Sequence, residues 1–141
     1  MDRPRYRPTK SELILLHTTA SEVIDAMNHH EAFEEYNLES CRQIRIGFLR
    51  IPEHSIWGLC SYSRDFSSEK NPCDNVWRIL IHPELLTDEM QLKLTLFHEM
   101  IHALLGPNER HGSMFQYLES FGHDLFETVQ ANKYLCRKFQ T

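Results

Sequence analysis

His98-Glu99-Met100-Ile101-His102 sets two histidines four residues apart, with a glutamate beside the first. On a helix, residues four apart lie one turn above each other, so both imidazoles reach one point in space. Glu99 lies about a hundred degrees around the helix from His98, where it can approach a metal-bound water without being a ligand. Two imidazoles suit zinc, which brings its bound water to a pKa near 7. Glu99 could take that proton as the hydroxide attacks a carbonyl and pass it to the leaving amine. Chance would supply the pattern only about 0.06 times in a chain of this composition.

A zinc hydrolase needs a third protein ligand and one position left open. His111 follows His102 by nine residues, where a turn could fold it back, and it stands in the context His111-Gly112-x-x-Phe115. Glu119 and His123 are the competing third ligands. A histidine six residues after His102 would complete a different zinc signature, and that position is Asn108. Other residues point less sharply to chemistry. Cys60 and Cys73 read as buried strand thiols rather than a metal or redox pair. Trp57, Tyr62, Phe66 and Trp77 read mainly as packing, with lining a cleft or stacking on an unpaired base as the alternative. Tyr62 is a candidate to polarise a scissile carbonyl, and Arg64 and Arg110 are candidates for phosphate contact.

The elements that must position these residues follow from pattern. Arg3, Arg5 and Arg7 alternate with Pro4 and Pro8 in an extended basic arm over 1–8, read as a solvated tail with phosphate contact as the alternative. Thr9 and Glu12 form a capping box, and Leu13, Leu16, Ala20, Val23, Ile24 and Met27 recur at helical spacing. His17, His29 and His30 are expected at the surface or boundary of this helix. Ile44, Ile46 and Phe48 alternate as a half-buried strand, Ser55–Ser63 is expected to return beside it, and Val76–Ile81 is a third, strongly apolar strand. Residues 64–75 read as a loop. The motif helix is expected to start at an N-cap Thr87 and to end at Gly106-Pro107. A further helix is expected over 113–121, closed by Gly122, and a last helix or tail over 124–141.

Composition bounds the rest. The chain has 141 residues with 41% hydrophobic content, enough for one core and inconsistent with a disordered or low-complexity chain. A net charge of -5 argues against coating nucleic acid by bulk positive charge, while leaving room for a local basic patch. Nine histidines hint at metal chemistry. No apolar run approaches the roughly 18 residues that span a bilayer, and no secretory signal opens the chain. The four cysteines lack a Cys-x-x-Cys pair, so they read as reduced thiols. A soluble, intracellular protein with no membrane partner is expected.

His98-Glu99-Met100-Ile101-His102-Ala103, followed by His111-Gly112 and Phe115, resembles the SprT-like metalloprotease domain, the family that includes the Spartan proteases of DNA-protein crosslink repair. Trp57-Gly58-Leu59-Cys60-Ser61-Tyr62 is similar to that family's Ala-Gly-x-Cys-x-Tyr strand. Cys73, Trp77-Arg78-Ile79-Leu80-Ile81 and Pro83-Glu84-Leu85-Leu86 are similar to its Cys-x-Ile-x-Leu-Ser-x-x-Leu-Leu segment. The resemblance implies an α+β, zincin-like single domain over 9–123, with a small three-stranded sheet packed with the active-site helix and flanking helices. It implies that His98, His102 and His111 hold Zn2+ and that Glu99 is the catalytic base. It further implies protein substrates bound or crosslinked to DNA, single-stranded DNA as activator and, in a eukaryote, a nuclear location. A zinc peptidase acting on free proteins and a non-catalytic zinc-containing adaptor are the alternatives.

Overall fold

Helix α1 (Lys10–Asn28) starts where the capping box places it. The Thr9 hydroxyl accepts the Glu12 N–H at 3.2 Å, and Glu12 Oε1 accepts the Thr9 N–H at 2.8 Å. Its apolar stripe, Leu16, Ala20, Val23, Ile24 and Met27, is buried, with Leu13 packed at the margin. His17 and His29 are exposed, while His30 packs its ring on Phe121. The computed structural model describes residues 5–64 and 75–126, without the side chains of 62–64, 75 and 76. Expectations for Arg3, Phe66, Cys73, the interior of the 64–75 loop, residues 127–141 and the side chains of Tyr62 and Arg64 lie outside the described residues.

The sheet contains β1 (Arg45–Phe48), β2 (Gly58–Arg64) and β3 (Asn75–Ile81) in the order β1-β3-β2. The expectation that the second strand returns beside the first is corrected. β2 pairs antiparallel with β3, and β1 lies parallel to β3 on its other side. The reason is burial: Ile79 and Ile81 are fully enclosed, so the most apolar strand takes the centre and the more polar ones become edges.

Helix α2 (Glu89–Leu105) packs against α1, β2 and β3. Its N-cap is Asp88 rather than Thr87: Asp88 Oδ1 accepts the Gln91 N–H at 3.2 Å. Thr87 closes the preceding 3-10 turn (Pro83–Thr87) by donating its hydroxyl to the Glu84 carbonyl at 2.8 Å. Leu92, Leu96, Phe97, Met100 and Ile101 form the buried face of α2. Each such side chain contributes about 1.5–3 kcal/mol by leaving water. Lys93 is buried with them, its Nζ 3.3 Å from Glu22 of α1 and 3.1 Å from Glu89 one turn back. The two carboxylates compensate the cation and tie α2 to α1.

Helix α3 (Ser113–Glu119) follows. Gly122 does not close the helical region, because residues 122–126 are helical again. A Cβ at Gly122 would stand 3.0 Å from Leu94 and 3.3 Å from Phe97, so the glycine lets this turn press onto α2. Phe126 is buried there, its ring 5.6 Å from that of Phe97.

Candidate active site

Helix α2 carries His98, Glu99 and His102 on the side that meets β2 and α3, with the two imidazole centroids 5.0 Å apart. The helix ends at Gly106, whose φ of 87° suits a residue without a Cβ, as the Gly-Pro exit predicts. Arg110 also adopts a left-handed φ, 51°, and the chain reverses. His111 then returns to within 4.7 Å of the His102 ring and 5.3 Å of the His98 ring. Its position is held from α3. Gln116 Nε2 donates to the His111 carbonyl at 3.1 Å, and Glu109 Oε1 accepts the Met114 N–H at 3.0 Å. Phe115, fully buried, is the shared floor, with its ring 4.4–4.9 Å from all three imidazoles.

Each of the three histidines offers a ring nitrogen, and these atoms lie within 4.8 Å of one another. Burial, followed by the charges of His98 and His111, pushes His102 down to about 4, so at neutral pH its lone pair is free for a metal. Glu119, a candidate third ligand in the sequence, stands behind His98, its Oε2 2.9 Å from Nδ1. A carboxylate there accepts the hydrogen bond of Nδ1–H, fixes that tautomer and leaves the Nε2 lone pair for a metal. His123, the other candidate, is exposed and lines a neighbouring hollow of about 400 Å³ with Glu119 and Trp57. The donor set fits zinc: three imidazoles, with a carboxylate on the second nitrogen of one.

Glu99 is only 6% exposed, with Oε1 4.0 Å from His98 Nε2. Burial, then the charge of Glu119, raises its carboxyl from 4.5 to about 7. Strand β2 lies directly over it. A Cβ at Gly58 would stand 2.7 Å from Thr95 Cγ2 and 3.2 Å from Glu99 Oε1, so only glycine allows this approach. The cleft between β2 and α2 has a volume of about 480 Å³, and Leu59, Cys60, Trp77, Pro107 and Arg110 complete its lining. Burial pushes the Cys60 thiol up to about 12 and that of Cys41 to about 11, which keeps both protonated and unreactive.

His54, His82 and Glu84 form a second group whose donor atoms also lie within 4.8 Å. Here His82 Nδ1 already accepts the Glu84 N–H at 3.1 Å, capping the turn that starts at Pro83. A neutral imidazole has one acceptor nitrogen, so the cap uses the lone pair that a metal would need.

Residues 26–133, well over half of the chain and including all three clustered histidines, match the model of the SprT-like family. The chain belongs to the SprT-like family. Its domain is therefore of the zinc-associated, metallopeptidase type. No curated protein and no solved structure matches the chain. Among the described residues, no helix of this SprT-like chain is long and apolar enough to cross a membrane. Glu119 as an orienting group and Phe115 as a floor both depend on α3 folding against α2. The Phe four residues after His111 in His111-Gly112-x-x-Phe115 was a visible signal for the floor. No spacing rule links His98 to Glu119.

Proposed function

We infer that this SprT-like protein is a zinc-dependent endopeptidase whose substrates are DNA-bound or DNA-crosslinked proteins. The observation that carries the peptidase is the convergence of three histidine nitrogens within 4.8 Å beside a buried glutamate. His98, His102 and His111 would hold zinc, a set of three that leaves a position open and so favours an enzyme over a closed structural site. When bound, zinc supplies Lewis acidity and brings a coordinated water to a pKa near 7. Glu99, with its own carboxyl near 7, is matched to accept the proton of the attacking water and deliver it to the departing amine. Glu119 holds His98 in the ligating tautomer, and Phe115 shields the imidazoles from below.

The substrate's path is offered by β2. The His82 N–H donates to the Trp57 carbonyl at 2.9 Å, so by antiparallel alternation Gly58 and Cys60 direct their main-chain groups to the edge away from β3. An extended peptide of any length can pair with such an edge, which suits an endopeptidase. The DNA-bound substrate class rests on likeness to the Spartan branch of the family.

The test is cleavage of a basic DNA-binding protein with and without single-stranded DNA, beside the Glu99→Gln variant. DNA-stimulated cleavage that the variant lacks is the expected result. Cleavage indifferent to DNA would keep the zinc peptidase and remove the DNA-directed role. Full activity in the variant would remove Glu99 as base.

A further inference from the structure

Arg110 is the one described residue other than glycine whose backbone takes a left-handed conformation, at φ 51°. Glycine makes such a step without a Cβ clash, whereas an arginine there raises the energy of the folded backbone. Residues held this way persist where their surroundings hold them, and they gather at functional sites. The step brings His111 back towards His98 and His102, and a glycine would serve that turn as well or better. What arginine adds is its side chain. By pattern alone Arg110 is a candidate for phosphate contact; the structure places it in the wall of the catalytic cleft with His98, Glu99, His102 and His111.

The rest of that wall is poor in donors that could stabilise a developing negative charge. Trp77 has one neutral N–H and Cys60 a weak S–H, while Gly58, Leu59, Gly106 and Pro107 have no side-chain donor. Among the described residues of the lining Arg110 is the lone lysine or arginine, and it makes no ion pair with another described residue. The carboxylate next to it in sequence, Glu109, is engaged elsewhere: its Oε1 accepts the Met114 N–H at 3.0 Å. Arg110 is exposed, so its guanidinium can move onto a bound peptide without breaking an existing pair. Consecutive Cα atoms are about 3.8 Å apart, which sets this arginine one residue from a histidine that the scissile carbonyl must approach.

We propose that Arg110 is a catalytic residue whose guanidinium donates to the scissile carbonyl oxygen as negative charge develops there. This role rests on the peptidase reading above and adds to it a group that receives the charge. When water adds to the carbonyl carbon, a C–O bond forms, the carbonyl π pair moves onto its oxygen, and Glu99 takes the water's proton. The pair returns as the C–N bond breaks and the amine leaves with that proton. Arg110 keeps its own protons throughout, because a guanidinium does not deprotonate in a protein. It acts by hydrogen bonding alone, and a charged donor binds the oxyanion more strongly than the neutral carbonyl of the bound peptide. Arg110 therefore lowers the barrier rather than tightening substrate binding.

Glycine is the informative replacement, because it keeps the left-handed step and removes the guanidinium. In the zinc-loaded full chain, Arg110→Gly is expected to hold one zinc and to melt close to wild type, while kcat falls about a hundredfold and KM stays within about twofold. Arg110→Lys, which keeps the charge without the planar fork, should recover part of the loss. A rise in KM at unchanged kcat, or no change in either, would overturn the role. A second measurement needs no turnover. Calorimetric binding of a phosphinic peptide, whose tetrahedral anion mimics the charged species, should weaken about a hundredfold in Arg110→Gly. Binding of the parent amide peptide to Glu99→Gln should be the same with and without Arg110→Gly. Equal weakening for both ligands, or for neither, would overturn the role. If wild type cleaves no peptide yet shows the loss for the phosphinic ligand alone, the peptidase reading fails and the charge-binding role of Arg110 stands. Should Arg110→Gly lose its zinc, Arg110→Asn, which also accepts the left-handed step, carries the same expectations. Loss of zinc in both would make Arg110 a residue of the turn alone and overturn the role.

Discussion

Two corners of the molecule each gather three metal-type donors within 4.8 Å, and they differ in what their lone pairs are doing. At the end of α2, His98 gives its Nδ1 to Glu119 and His102 is held neutral by burial, so nitrogens remain free to meet at one point. At the end of β3, His82 spends its acceptor nitrogen on the Glu84 N–H, while His54 and Glu84 stand in solvent, 3.9 Å apart. Proximity is thus shared by both corners. What favours a metal centre is a hydrogen-bonded carboxylate on the other ring nitrogen, and among the described residues the first corner has one at 2.9 Å, on His98.

The largest expected effect is at Glu99. Glu99→Gln should lower the peptidase rate at least a hundredfold while leaving bound zinc at one per chain, as rate assays beside metal analysis would show. Retained activity would mean that the base lies elsewhere. Metal stoichiometry then separates the corners. His111→Ala should bring zinc well below one per chain, and His54→Ala should leave it at one. A second zinc in wild type that His54→Ala removes would break the comparison, because the capped corner would then be a metal site.

Local features of this chain were legible in its sequence because local physics sets them. The capping box at Thr9, the Gly106-Pro107 exit and the meeting of His98 with His102 each depend on residues within a turn or two. The return of His111 was legible as a candidate, whereas its approach to His98 and His102 depends on the left-handed step at Arg110 and on the grip of Gln116. Strand order was misjudged, since adjacency in sequence suggested a hairpin while burial of Ile79 and Ile81 placed β3 between the other two. The buried Lys93 escapes a hydrophobicity pattern altogether. Its i, i+4 relation to Glu89 is visible, but Glu22 comes from another helix.

An intermediate effect is expected behind His98. Glu119→Ala removes the acceptor on Nδ1 and should weaken zinc binding about 10–100-fold, read by competition with a chelator. Glu119→Gln, which keeps an acceptor oxygen, should recover part of that loss. Equal affinity in wild type and Glu119→Ala would make the 2.9 Å contact a bystander and erase the feature that separates the two corners.

The smallest effect concerns the metal-free protein, where Glu99 and His102 pull stability in opposite directions. Glu99 has a folded pKa of about 7, above its ordinary 4.5, so the folded state binds more protons. Its contribution is complete below pH 4.5 and is lost as pH rises through 7. His102 is lowered from 6.5 to about 4, so the folded state binds fewer protons, and its contribution is complete above pH 6.5 and lost as pH falls towards 4. In chelator, Glu99→Gln should therefore stabilise the protein more at pH 8 than at pH 4.5, by about 2 kcal/mol in urea unfolding. An equal gain at both pH values would mean that Glu99 is not strained by its burial, and that the carboxyl is matched to proton transfer only once a metal is bound.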